Sequence, residues 1–358
     1  MSSKRRKTRA AAPTPRTVVR FKYGPDVRPH TINEFRRTRG LPRISGLRQT
    51  PGLIAERVRA FTQTVNDVVP PGTTVSVWPA IDMAVTLAHV APEEFRPASG
   101  HSYTLDRGAN TAVAKTLTRS DGRGFDIVVD GNLFISTQAD SDEQVANKSR
   151  MLAHLAAHEP QHIVQTLAGL DTGDLAEAAR GESPTVNDLL LPFAEAVNEY
   201  QCELAANRIN TEPFPHDAQS LSDDLRAFRA ALSESVRLND TDRYQACVTV
   251  LTAAKELVKG VAYAAAYRFY DGDDQSAPDP LPEQWDRYMA ELWPDLLDMF
   301  AAIPAAGEPT DKAVLARALY RITERTLRWL EEIGVRYEVE IQGDESIRSC
   351  WWSVAEPI

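Results

Sequence analysis

The sequence predicts an α+β protein, predominantly helical, in which a small antiparallel sheet precedes a series of long helices. Two observations carry this. Runs rich in β-branched residues and bounded by Pro, Gly and Asp-Gly signals cluster in residues 73–136. From Ser141 onward, apolar residues recur at helical spacing almost without a break. The 358 residues are 43% apolar and 25% charged, the composition of an ordinary globular chain, and exceed one average domain.

Residues 1–16 are basic, rich in Ala and Pro, and without periodicity, which predicts disorder. Residues 17–50 read as an extended arm. Leu53, Ile54, Val58, Phe61 and Val65 predict a helix that Pro70-Pro71-Gly72 ends. Thr73–Trp78 reads as a strand. Asn110–Arg119 and Phe125–Ser136 flank Asp121-Gly122, a hairpin signal, with a further short strand expected at Leu133–Ile135. Ser141 with Gln144 has the form of a capping box and opens a helix running toward Gly169. Gly169–Pro184 reads as a loop and Leu189–Ile209 as a helix. Further helices are expected over 221–238, 241–270, 283–303 and 311–334, with an Asp-rich linker at 271–282 and a last strand at Val335–Ile341. The Trp351-Trp352 pair is expected to dock the C-terminal tail. The predicted organisation is a basic arm over 1–50, a first domain over 51–210 and a helical region over 211–358.

The net charge is −10. Residues 1–50 hold 14 basic against two acidic residues, +12, which leaves −22 on the remainder. A basic arm on an acidic body predicts nucleic acid or an acidic partner for residues 1–48. No apolar run has the length of a membrane span; Val248–Leu257 is interrupted by Lys255 and Glu256, so no membrane is expected. No apolar segment follows the basic start, as a signal peptide would need. Cys202, Cys247 and Cys350 are few and far apart, which predicts neither a disulfide framework nor a cysteine zinc ribbon, and a cytoplasmic setting.

His158-Glu159-Pro160-Gln161-His162 is H-E-x-x-H. On a helix the two histidines project from one face and can hold one Zn2+, while Glu159 has the position of a general base on the water such an ion activates. A third protein ligand is needed. The 189–209 helix offers Glu195, Asn198, Glu199, Cys202 and Glu203. Glu199 and Glu203 share a face, so one can be the ligand while the other accepts a histidine's second N–H. His154 repeats the histidine spacing without a glutamate and reads as a partly buried neighbour.

These residues resemble the zincin-type gluzincin metallopeptidases. Asn198-Glu199-Tyr200-Gln201-Cys202-Glu203 is similar to the thermolysin-like N-E-x-x-x-D pattern, with Glu for Asp. His158, Glu159, His162, Val164, Gln165, Leu167 and Gly169 also match the motif helix of the bacterial neutral zinc metallopeptidases. Glu199, Gln201 and Ala206 match those enzymes' second motif, with Cys202 and Glu203 as departures. The resemblance implies a zincin-like domain, His158, His162 and Glu199 as zinc ligands, and Glu203 behind them. A register shifted by one turn, Glu203-Leu204-Ala205-Ala206-Asn207, resembles the E-x-x-A-N of peptidases controlling phage repressors and would make Glu203 the ligand. The likeness covers about 50 residues; the Ala- and Arg-rich composition suggests a bacterial or phage protein.

Pro160 departs from the pattern, which has an apolar residue there. Proline inside a helix lacks an N–H and clashes one turn back, at about 3 kcal/mol. A kink, or two separate helices, is therefore expected. Two functions follow. One is zinc-dependent hydrolysis of a protein or peptide substrate. The other is a catalytically inactive zincin-like scaffold, acting as a binding or structural protein through its basic arm on nucleic acid or an assembly.

Overall fold

A computed structural model describes residues 17–22, 51–92, 106–107, 110–111, 113–138, 140–210, 218–271, 277–342 and 345–353. The expectations for residues 1–16, 23–50 and residues 272–276 of the Asp-rich linker lie outside them. The chain is a predominantly helical α+β protein, with three small sheets among the described residues. In order, the elements are β1 (Val18–Phe21), α1 (Pro51–Val68), β2 (Thr74–Ala80), α2 (Met83–Val90), β3 (Asp106–Arg107), β4 (Asn110–Thr111), β5 (Ala114–Thr118) and β6 (Phe125–Asp130). They continue as α3 (Asp142–Leu167), α4 (Thr172–Ala178), α5 (Pro184–Ile209), α6 (Ala218–Leu238), α7 (Arg243–Asp271), α8 (Trp285–Tyr288), α9 (Leu292–Ala301), α10 (Lys312–Glu332), β7 (Val335–Gln342) and β8 (Glu345–Trp352).

The main sheet has the order β1-β2-β6-β5 and is mixed, not antiparallel as the sequence predicts. The Asp121-Gly122 turn does give an antiparallel β5–β6 hairpin. The pairs β1–β2 and β2–β6 are parallel. Parallel neighbours need long crossovers, and helix α1 is one of them. Strand β1 lies within the basic arm and extends the sheet beside β2. Leu133–Ile135 is not a strand, because Asp130 caps a 3-10 turn over Gly131–Leu133.

One face of the sheet packs Val75, Val77, Phe125, Ile127 and Val129 on Phe61 and Val65 of α1 and Leu155 and Ile163 of α3. The other face packs Leu117 and Val128 on Met83 and Leu87 of α2. A second, larger core runs from Leu175 of α4 to Val339 of β7 and takes in α5 through α10. Helix α5 is thus packed among the helices that follow it, and the sequence boundary at 210 falls inside this core.

Gly169–Pro184 is not all loop. The side chain of Asp171 accepts the amide of Asp174 at 2.8 Å and starts α4. Helix α5 begins five residues before the predicted Leu189, with Ser183 as N-cap and Pro184 in its first turn. The expected 283–303 helix is two, α8 and α9. β7 is paired along its length by β8, which the sequence reading missed. Among the described residues no helix is long and apolar enough to cross a membrane.

Candidate metal centre

Helix α3 carries the histidines. The Ser141–Gln144 box closes as expected, with the Gln144 amide donating to Ser141 Oγ at 3.2 Å and the Ser141 amide to Gln144 Oε1 at 2.8 Å. One helix then runs through Pro160 to Leu167, so the expected separation into two helices does not occur. His154, His158 and His162, one turn apart each, face α5.

Helix α5 supplies the acceptors. His158 lies between two carboxylates, Nδ1 at 2.9 Å from Glu203 Oε2 and Nε2 at 3.2 Å from Glu199 Oε2. His162 Nδ1 is 2.8 Å from Asn198 Oδ1, and its Nε2 is 3.8 Å from the same Glu199 oxygen. Each ring therefore has an oxygen behind its Nδ1 and turns Nε2 toward Glu199. The ligand atoms of His158, His162 and Glu199 all lie within 4.8 Å of one another. His154, His158 and Glu203 form a second such group, with His154 Nε2 at 3.2 Å from Glu203 Oε2. Glu203 is the more deeply placed carboxylate, 1% exposed.

Burial alone would raise the Glu199 carboxyl, but His162 and His158 outweigh it and hold Glu199 well below the usual carboxylate range. Burial likewise opposes charge on His158; its bonds to Glu199 and Glu203 prevail and raise it well above 6.5. Without a metal ion, His158 carries a proton that a cation must displace. Burial first, then Glu199, Glu159 and Glu203, push the Cys202 thiol up. It donates to Gln165 Oε1 at 3.3 Å.

Glu159 is 5% exposed and held from the sheet. Thr116 lies opposite Ile127 in the β5–β6 ladder, on the face turned to α3. Its hydroxyl donates to Glu159 Oε2 at 2.6 Å and lies 3.0 Å from the Glu159 carbonyl oxygen. From the other side α7 brings Tyr263, whose hydroxyl donates to Glu199 Oε2 at 2.9 Å. Burial, then Glu199 and Glu203, raise the Tyr263 phenol and keep it protonated. Glu195, one turn before Glu199, pairs with Lys255 at 2.8 Å and Lys259 at 3.2 Å, so it is bound to α7 and stands apart from the histidines. The histidines, Glu159, Glu199, Glu203, Thr116 and Tyr263 open on one cavity of about 1430 Å³ between β5, α3, α5, α7 and the β7–β8 hairpin.

The sequence alone singles out neither Thr116 nor Tyr263. Neither carries a local signal, since each reaches the site from a remote element. No protein-family model matches the chain, and neither a curated protein nor a solved structure matches it.

Proposed function

We propose that this chain is a metal-dependent peptidase of the gluzincin type, with His158, His162 and Glu199 as ligands to zinc. The carrying observation is the donor set: two imidazoles with Nδ1 held from behind by Glu203 and Asn198, and Nε2 turned toward one carboxylate. Two histidines and one glutamate suit catalytic zinc, which keeps a fourth position for water or substrate, and oxygens behind both rings fix their tautomers. An ion bound there supplies Lewis acidity toward a carbonyl and a water molecule.

The chain's own residues complete the chemistry. Glu159 takes the proton of the attacking water and passes it to the leaving amine; Thr116 fixes one of its oxygens. Tyr263 is a protonated donor beside Glu199 and serves the oxygen on which charge develops. β5 is the edge of its sheet and lines the cavity through Val113–Thr116. An extended peptide can add to that edge by backbone hydrogen bonds, which carries it past Thr116 to Glu159. This edge favours a peptide substrate over a small molecule.

Glu159→Gln tests the reading. Zinc content by elemental mass spectrometry is expected to stay at that of wild type, while hydrolysis of an unstructured protein substrate falls by a factor of about 10² to 10⁴ or more. His158→Ala is expected to lose the metal. Wild-type protein that takes up no zinc when supplied with it, or a fully active Glu159→Gln, overturns the proposal. The latter result would turn attention to binding through residues 1–48, which must then weaken steeply with salt.

A further inference from the structure

The second chemical feature of the cavity lies at its other end. Cys247 of α7 and Cys350 of β8 are distant in sequence and both line the cavity wall. Three contacts bring them together. In the β7–β8 ladder Val335, Tyr337 and Val339 are buried and face the body; their partners Trp352, Cys350 and Arg348 share that face. Trp352 Nε1 donates to Ser235 Oγ at 2.7 Å, and Ser235 Oγ donates to the carbonyl of Ala246 at 2.9 Å. On the other side of Cys350, Arg348 clasps Asp188. Cys350 is thereby held toward Cys247 at the cavity wall, where each thiol acts on the other's protonation. Both are free and half-buried. Cys202, fully buried on α5, has no part in this pair.

We propose that Cys247 and Cys350 are a thiol–disulfide exchange site, which small disulfides convert to an internal crosslink fastening the C-terminal hairpin to α7. The Cys350 contact lowers the Cys247 thiol, against the effect of burial, whereas Cys350 is raised by the same contact and by burial. In this proposal Cys247 is the attacking sulfur and Cys350 the resolving one. The Cys247 thiolate attacks a small disulfide, forms a mixed disulfide and expels one thiolate. The Cys350 thiol, losing its proton, then attacks the Cys247 sulfur and expels the second. The protein dithiol is oxidised by two electrons and the small disulfide is reduced to two thiols. The closed loop is long, so the link constrains the unfolded chain strongly. It also pins the cavity wall that carries Trp351 and Arg348. The inference is independent of the peptidase reading.

The test is to treat reduced full-length protein with glutathione disulfide under native conditions, then map it by non-reducing peptide mass spectrometry. The expected product is a linked peptide pair containing Cys247 and Cys350, with an unmodified Cys202 and a melting temperature above that of the reduced chain. Dithiothreitol must reverse both. Cys350→Ser is expected to stop at a stable glutathione adduct on Cys247. Wild-type protein that stays unmodified or keeps stable adducts without the linked pair overturns the proposal. Absence of the Cys247 adduct in Cys350→Ser overturns it as well.

Discussion

Asn198 shows how much of the site depends on a residue that need not touch the metal. Its side-chain oxygen takes the Nδ1–H of His162 and so turns Nε2 toward Glu199. Removing such an acceptor loosens the ring and lowers its basicity, typically by 10- to 100-fold in metal affinity. Asn198→Ala is therefore expected to weaken zinc binding by about that factor in competition with a chelating dye, and Asn198→Asp to retain it. Equal affinity in all three proteins would show that the contact does not orient the ring. The histidines and Glu159 were legible because helical spacing alone puts His158 and His162 on one face. Glu199 and Glu203 were legible as a pair but not in their roles, because they differ by one turn. In the structure they occupy different places: Glu203 lies at Nδ1 of His158, on the side of His154, and Glu199 at the two Nε2 atoms. Thr116 and Tyr263 were not legible, since their roles exist only once β5 and α7 have packed against α3 and α5.

At the scale of elements, α3 and the C-terminal hairpin carry the next two expectations. Pro160 sits inside a continuous helix and removes one i→i−4 bond. The interior cost is about 3 kcal/mol, offset in part by a buried ring whose extra carbons contribute about 1.6 kcal/mol over alanine. Pro160→Ala should thus raise stability by about 1 kcal/mol in denaturant unfolding; a loss of stability would mean that the helix depends on the ring. The hairpin hangs on Asp188, which accepts Tyr337 Oη at 2.6 Å and Arg348 Nη2 at 2.6 Å. Burial would raise this carboxyl, but Arg348 and Tyr337 outweigh it and hold it low. A depressed carboxyl stabilises the fold above the ordinary aspartate value, near 4, and the contribution disappears as pH falls through its lower folded value. Asp188→Asn should remove about 0.5–1 kcal/mol at neutral pH and flatten the acid limb of the stability curve. An unchanged acid limb would free the hairpin from this contact. Sequence periodicity found α3, α5, α6, α7 and α10 because each is long and carries apolar residues at helical spacing. It missed α4, a short helix whose evidence is the Asp171 cap, and β8, whose inward residues Arg348, Cys350 and Trp352 alternate with Ile347 and Trp351 and so give no clean apolar-in pattern.

At the scale of the molecule, the candidate ligands join two cores. His158 and His162 belong to α3, which packs on the sheet through Leu152, Leu155 and Ile163. Glu199 belongs to α5, which packs through Leu190, Phe193, Val197 and Tyr200 into the large helical core. The helical character of the whole was legible from periodicity, but this seam was not, because Leu189–Ile209 looks the same whichever core it joins. An ion bridging the seam would couple the two cores, since whatever binds only the folded chain stabilises it by mass action. Free zinc at 100 times its dissociation constant should add about 2.7 kcal/mol. The increment should appear as a raised melting temperature, and a chelator should abolish it. Glu159→Gln should keep the full increment and His162→Ala should lose it, which separates holding the ion from using it. If melting is the same with zinc and with chelator, while separate assays show zinc bound, the ion lies elsewhere than between α3 and α5.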